Sequence, residues 1–266
     1  MKHYIFLITI LFSACFQIYS QSNQQVNLRK SRITEELNLP AVQLNFGYSY
    51  TIPSGVLASR YGNFNGAGLD VMYRNEKGWL AGGSFFQYWG GSVKEGGILD
   101  SLSGNSGYLI DDNGNLAIVR MYMYGYQAQV YFGKLFPLTK KNPNSGILLK
   151  IGTGILQHRI KFQHTINVMP QLEDNMYKGY DRLSNGIMAS QFIGYQYSSL
   201  VKTIHFWGGI EFMQASTTNR RGFNYDTRQY DNLAKSNFAI GFKAGFIIPI
   251  YLYGKGEKPG SEIYFD

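Results

Sequence analysis

The sequence predicts an all-β protein, a membrane-spanning antiparallel up-and-down β-barrel of about eight strands. Three observations favour this fold class. The N-terminal residues have the layout of a secretory signal. Several later segments alternate apolar or aromatic residues with small or polar ones, at the period of two expected for a β-strand with two different faces. Beyond the first twenty residues, no apolar run reaches the ~20 residues that a transmembrane helix needs.

The N-terminus indicates export. Lys2 and His3 precede an apolar segment at 4–12, and a polar stretch ends at Ser20. This apolar segment is too short to span a bilayer, so we predict that residues 1–20 are a cleaved signal peptide. A lipoprotein alternative stays open, because residues 12–15 loosely resemble a lipobox in which Cys15 would be lipidated.

Composition narrows the function classes. Cys15 is the only cysteine, so cleavage near Ser20 excludes disulfides, thiolate metal sites and a cysteine nucleophile from the mature chain. The formal net charge is +8, and loss of Lys2 with the signal leaves +7. A basic exported chain is expected to contact anionic lipid headgroups, lipopolysaccharide phosphates or an acidic partner. Nucleic acid is not an expected partner in that compartment.

The first strand, 42–52, shows the alternation most clearly. Apolar or aromatic side chains occupy its even positions, and small or polar ones occupy most odd positions. This places one face in lipid and the other in a polar lumen. The phase of the third strand is not predicted. The other predicted strands are 67–74, 79–90, 116–133, 146–160, 186–198, 204–215 and 236–252.

The lengths of the connections orient the predicted barrel. Transmembrane barrels have short periplasmic turns and longer external loops, and the long connections here are 53–66, 91–115, 161–185 and 216–235. The connections after even-numbered strands are shorter, including 134–145. We therefore expect a periplasmic arm at 21–40, a barrel at 41–252 and a periplasmic tail at 253–266, with both termini on the periplasmic side.

The signal, the alternation in 42–52 and 238–250, and the tyrosine-rich strands resemble the small outer-membrane barrels of the OmpA transmembrane-domain and OmpX kind. The length, the usage of Tyr, Gly and Lys, and Gln21 after the cleavage point are more similar to barrel families of Bacteroidota, which include PorT-like subunits of secretion machinery. The resemblance covers about 41–252. It implies the fold and an outer-membrane location more strongly than a role.

An eight-stranded barrel is just wide enough to be filled by side chains. Buried charges need partners, so we predict a plug of ion pairs and hydrogen bonds, with a narrow ion path as the alternative. A porin is disfavoured because about eight strands leave no aqueous channel. The predicted plug consists of Asp70, Arg74, Lys150, Glu211 and Lys243, with the amides of Gln43, Asn45, Gln127 and Gln129.

Metal and modification motifs are weak. His158 and His164 are six residues apart on one strand, about 20 Å along it, and His205 is expected to face inward, so we predict no metal site. Residues 111–115 begin like a calcium loop, but Tyr122 stands where the bidentate acid belongs, which favours a β-turn. Residues 100–102 resemble the short O-glycosylation acceptor of Bacteroidota.

Two sets of residues are expected at the membrane boundaries. Trp79, Trp89, Trp207 and many tyrosines suit the aromatic girdles at the two interfaces. Three loop cations could bind lipopolysaccharide phosphates or a partner, or lie free in a solvated loop. These cations are Arg220, Arg221 and Arg228.

The favoured function is a non-enzymatic integral outer-membrane barrel, a structural or accessory subunit of a cell-envelope complex in secretion, assembly or anchoring. No cofactor is expected. One alternative is adhesin-like display of surface loops. The other is an enzyme that modifies the acyl chains of lipopolysaccharide, resembling some eight-stranded barrels, in which His158 or His164 would act with Asp174 or Asp181.

Overall fold

The computed structural model describes residues 40–103, 108–139, 142–164, 169, 172, 175–199 and 205–252. The predicted signal peptide and C-terminal tail lie outside these residues, as does the periplasmic arm apart from its last residue, Pro40.

Eight strands close into one antiparallel barrel in which chain neighbours pair and the last strand pairs with the first. This confirms the predicted fold class. A short helix, α1 (Val56–Arg60), follows the first strand. No helix among the described residues is long and apolar enough to cross a bilayer. The barrel strands are β1 (Ala41–Gly55), β2 (Phe64–Arg74), β3 (Trp79–Gly90), β4 (Val119–Thr139), β5 (Asn142–His164), β6 (Ser184–Ser198), β7 (His205–Asn219) and β10 (Lys235–Tyr251), and a small hairpin pairs β8 (Phe223–Asn224) with β9 (Gln229–Tyr230).

Closure runs along the full length of the first strand. The β1–β10 register pairs Ala41 with Tyr251 at one end and Gly55 with Asn237 at the other. The barrel sheet therefore has no free edge along this seam. A closed sheet pairs its backbone N–H and C=O groups internally, which is the condition for a β-structure to lie in hydrocarbon.

Side chains alternate between the lumen and the outer wall. The predicted lipid-facing sets on β1, β2, β7 and β10 are exposed or half-buried, and the residues between them are mostly buried. Strand β3 obeys the same rule, with Phe86 and Tyr88 inside and Phe85 and Trp89 outside. The sequence hid this phase because aromatic residues occupy both faces.

The connections follow the predicted asymmetry, with one error. Residues 56–63, 91–118, 165–183 and 220–234 join strands at one end of the barrel, the end predicted to face out of the cell and called the outer end. The predicted connection 134–145 is wrong, because β4 continues to Thr139 and β5 begins at Asn142. The register of β4 against β5 shifts between Pro137 and Thr139. Proline is tolerated at such an irregularity near the end of a strand.

The lipid-facing surface of the barrel carries an apolar belt between two aromatic levels, one near each end of the strands. Trp79 and Trp89 lie ten residues apart at opposite ends of β3, exposed by 41% and 42%, and Trp89 marks the outer aromatic level. Ten residues span about 33 Å along a strand, or roughly 25 Å along the normal at a tilt near 40°, the height of the apolar band of a transmembrane barrel. Trp79 stacks on Phe132 at 5.1 Å, with the Lys134 ammonium 4.6 Å from the indole ring.

Candidate functional site

The five predicted plug residues all lie buried inside the barrel. Lys150 Nζ is 2.8 Å from Asp70 Oδ2, and Lys243 Nζ is 2.6 Å from Glu211 Oε2. The structure therefore brings four of the five together as two ion pairs. Arg74 is also buried, at the end of β2 away from the outer loops.

Neutral groups donate further hydrogen bonds to both carboxylates. Asp70 accepts hydrogen bonds from the Tyr131 hydroxyl and, at 3.2 Å, from Asn45 Nδ2. Glu211 accepts from Gln127 Nε2 at 3.3 Å and from Gln129 Nε2 at 3.2 Å. Charges taken out of water are tolerated when partners satisfy them in this way.

The lumen is filled around these pairs. The enclosed cavity among them measures about 20 Å³, which holds about one water. Aromatic rings pack against the cations, with Lys243 Nζ 4.0 Å from the ring centre of Phe86 and Lys150 Nζ 4.5 Å from that of Tyr131. A substrate does not fit in this part of the barrel.

The prediction that Trp207 belongs to an interfacial girdle is wrong. Its side chain is 3% exposed and lies in the lumen, edge-on to Phe192 at 5.6 Å between ring centres. Gly47 makes room for it, since a Cβ there would lie 2.8 Å from the indole ring. Trp79 and Trp89 do face outward. The odd-numbered phase of β7, which also turns Glu211 inward, places Trp207 inside.

Two of the residues considered for acyl-chain chemistry, His158 and Asp181, are bound to other side chains. His158 is buried, with Nδ1 3.3 Å from the Tyr61 hydroxyl, and Asp181 is fully buried and paired with Arg221. No hydrogen bond joins His158 to Asp181 in the described part of the chain. Asp174 and the side chain of His164 lie outside the described residues.

No cluster of three metal-ligating side chains occurs among the residues that the structure describes. His205 faces inward at the start of β7, with Nδ1 3.0 Å from Ser198 Oγ. The Asp111 segment forms the predicted turn, in which the Asp111 carboxylate accepts from the backbone N–H groups of Asn113 and Asn115 at 2.9 and 2.7 Å. Residues Asp100–Leu102 form a single 3₁₀ turn, and their glycosylation stays a prediction.

An ion-pair network spans the outer mouth of the barrel, and sequence reasoning missed it. Glu95 bridges Arg60 at 2.5 Å and Arg182 at 3.1 Å, and Arg182 also pairs with Asp226 at 2.5 Å. These four residues come from the four outer connections. Arg182 has a left-handed backbone, with φ 51°. The network ties all four outer loops to one another across the mouth.

The charges at the mouth stabilise one another. Burial would lower the pKa of the Arg60 guanidinium, but the neighbouring Tyr61 and Glu95 outweigh burial and raise it. The hydrogen bond that Arg221 donates to Asp181 raises the pKa of Arg221, against a smaller opposing effect of burial. Both arginines therefore stay charged at any physiological pH.

The three predicted loop cations differ in their surroundings. Arg221 donates to both oxygens of Asp181, at 2.9 and 2.6 Å. Arg220 is exposed, and its Nε donates to the side-chain oxygen of Asn185. Arg228 is exposed in the turn between β8 and β9. Arg221 thus holds the loop in place, while Arg220 and Arg228 are exposed.

A closed eight-stranded barrel with an apolar outer belt and a lumen filled by ion pairs defines the class of this protein. The architecture is that of the small outer-membrane β-barrels.

Neither a protein-family model nor a curated protein sequence matches the chain. Similar solved structures include neisserial surface protein A (NspA), with 11% identity and a TM-score of 0.40 over 78% of this chain and 96% of that one. Another is Ail, the attachment invasion locus protein of Yersinia pestis, with 9% identity and a TM-score of 0.37 over 79% and 99%. The outer membrane protein OprG from Pseudomonas aeruginosa has 12% identity and a TM-score of 0.33 over 82% and 99%.

Proposed function

We propose that the protein is a non-enzymatic integral barrel of the outer membrane and an accessory subunit of a cell-envelope complex. The observation that carries this is an apolar hairpin, defined as residues 108–118, in the second outer connection. Its large apolar side chains are exposed by 42–70%, and they are Tyr108, Ile110, Leu116 and Ile118.

The apolar hairpin lies outside the membrane. Ile118 precedes Tyr124 by six residues, and Tyr124 pairs with Trp89 at the outer aromatic level. An extended chain covers about 20 Å over six residues, or roughly 15 Å along the membrane normal at a tilt near 40°, so Ile118 lies beyond the hydrocarbon. A cluster of exposed apolar side chains beyond the hydrocarbon supports a surface that binds another protein.

The hairpin is ordered before any partner binds. Backbone hydrogen bonds join Asp111 N to Asn115 O and Ala117 N to Leu109 O, both at 2.9 Å. The Asp111 carboxylate caps the turn as described above. A preformed surface loses little entropy on binding, which favours a stable complex.

The outer face also supports a second candidate function, adhesion through displayed loops. Tyr230 and Leu233 in the last outer connection are almost fully exposed. They lie on a different loop from the apolar hairpin, so substitutions can separate the two surfaces. The catalytic alternative has less support, because His158 and Asp181 are each held by another partner.

The test is crosslinking in intact cells followed by affinity isolation of the tagged protein. We expect the wild type to retain an envelope protein in stoichiometric amount, L116S/I118S to lose it, and the matched variant Y230S/L233S to retain it. Absence of any stoichiometric partner, or equal retention by L116S/I118S, would contradict the subunit proposal. Loss of adhesion to host or bacterial surfaces in Y230S/L233S alone would favour loop display.

A further inference from the structure

A row of polar side chains crosses the lipid-facing surface of the barrel, near the outer aromatic level marked by Trp89. The Tyr126 hydroxyl and Asn185 Nδ2 donate to Gln157 Oε1, at 3.4 and 3.5 Å, and Arg220 donates to Asn185. The row runs over β4, β5 and β6 to the start of the last outer connection. Polar groups of this kind do not face hydrocarbon without cost, so the row marks where the hydrocarbon ends on this side.

Cations lie directly above this row. On the outward face, Arg159 is opposite Tyr124, and Lys161 is opposite Tyr122. The guanidinium of Arg159 and the ammonium of Lys161 lie 5.7 and 5.8 Å from the Tyr124 ring centre. Arg120 follows on the same face of β4, and it is exposed.

Arg220 lies beside these cations, next to the outer end of β6. Its backbone N–H donates to Leu183 O at 2.7 Å, beside the outer end of β6. We call the resulting surface the basic shelf. The shelf consists of Arg120, Arg159, Lys161 and Arg220.

The basic shelf differs from the mouth network in its partners. Arg60, Arg182 and Arg221 at the mouth each pair with a carboxylate. Among the ion pairs of the described residues, none involves a cation of the basic shelf. In the described part of the chain no carboxylate pairs with these four outward-facing cations, so the shelf presents positive charge to an external anion.

The shelf occupies one side of the barrel. Near the outer end of β1, the outward residues Ile52 and Ser54 carry no charge, and neither does Asn65 at that end of β2. A general attraction to an anionic surface would not need this one-sided placement. A ligand with closely spaced anionic groups fits it, because guanidinium and ammonium groups bind phosphate oxygens by charge-assisted hydrogen bonds.

We propose that the basic shelf binds the phosphate groups of the outer-leaflet glycolipid, lipid A. This inference rests on the outer-membrane placement of the proposed function, but not on a protein partner. The Tyr122 and Tyr124 rings beside the cations would lie against the sugar of the headgroup, as aromatic side chains do at this depth.

The test is native mass spectrometry of the detergent-solubilised full-length protein titrated with diphosphorylated lipid A. We compare the wild type with R159Q/K161Q and with K77Q/K94Q, which loses the same charge away from the shelf. We expect R159Q/K161Q to bind roughly thirtyfold more weakly and K77Q/K94Q to bind like the wild type. Heat-dependent mobility on gels checks that each variant is folded.

Two further ligands separate the sources of binding. Dephosphorylated lipid A is expected to bind the wild type as weakly as lipid A binds R159Q/K161Q, and phosphatidylglycerol is expected to bind weakly to all variants. Equal binding of lipid A by all three proteins, or equal binding of phosphatidylglycerol and lipid A, would overturn the proposal. Failure here would leave the crosslinking result unaffected, so the two proposals fail separately.

Discussion

Inside the barrel, Lys150 Nζ lies 2.8 Å from Asp70 Oδ2, and both side chains are buried. Strands β2 and β5 are separated by β3 and β4 in the sheet, so this contact crosses the lumen. The pair therefore ties opposite parts of the wall together through the interior.

Removing one member of this pair should destabilise the barrel strongly. Lys150→Met leaves the Asp70 carboxylate buried without its cation, which costs about 3–5 kcal/mol. We expect D70N/K150M to recover much of that loss, because neither charge is then left unpaired. Urea unfolding in lipid vesicles measures the free energy of unfolding of both variants. Lys77→Met, in an exposed turn, is the control. Equal stability of K150M and the wild type would show that the pair does not contribute.

Gly47 should tolerate no side chain. A Cβ at this position would lie 2.8 Å from the Trp207 ring, so Gly47→Ala is expected to cost about 1–3 kcal/mol by overpacking. At Gly91 no atom lies within 4 Å of the added Cβ, and Gly91→Ala should stay within about 0.5 kcal/mol. The same unfolding measurement compares them. If G47A/W207L were no more stable than G47A, the steric explanation would be wrong.

The last outer loop should loosen in acid. Burial would raise the pKa of Asp231, but the hydrogen bond and charge of Lys235, 2.6 Å away, outweigh it and hold the pKa below its ordinary 3.8. A lowered pKa contributes stability that is present above pH 3.8 and is lost as the pH falls through the lowered value. NMR titration of the carboxyl carbon should show this lowered midpoint, and Lys235→Gln should raise it. If the titration midpoint of Asp231 were unchanged in K235Q, the ion pair would not be the cause of the lowered pKa.

The barrel and its lumen charges could be predicted because both follow from a local rule. Alternation at period two fixes which residues face inward, and this placed Asp70, Glu211 and Lys243 in the lumen before any contact was known. The pairing of Lys150 with Asp70 was not predictable, because it depends on how the closed sheet brings distant strands together.

The errors have physical causes too. Trp207 was assigned to a girdle from its residue type, whereas the phase of β7 and the space at Gly47 place it inside. The mouth network was missed because Arg60, Glu95, Arg182 and Asp226 lie in the connections between strands, where no alternation at period two indicates the direction of a side chain. Only the closure of the barrel brings these four loops together.

The central claim is a barrel that spans the membrane around a filled lumen, and its three tryptophans report on it directly. Single-tryptophan variants that retain Trp79, Trp89 or Trp207 are reconstituted in vesicles whose lipids carry bromine atoms at known depths. We predict strong quenching of Trp79 and Trp89 by bromines near the headgroups, and little quenching of Trp207 at any depth. Quenching of Trp207 as strong as that of Trp79 and Trp89, or no quenching of any of the three, would contradict this account.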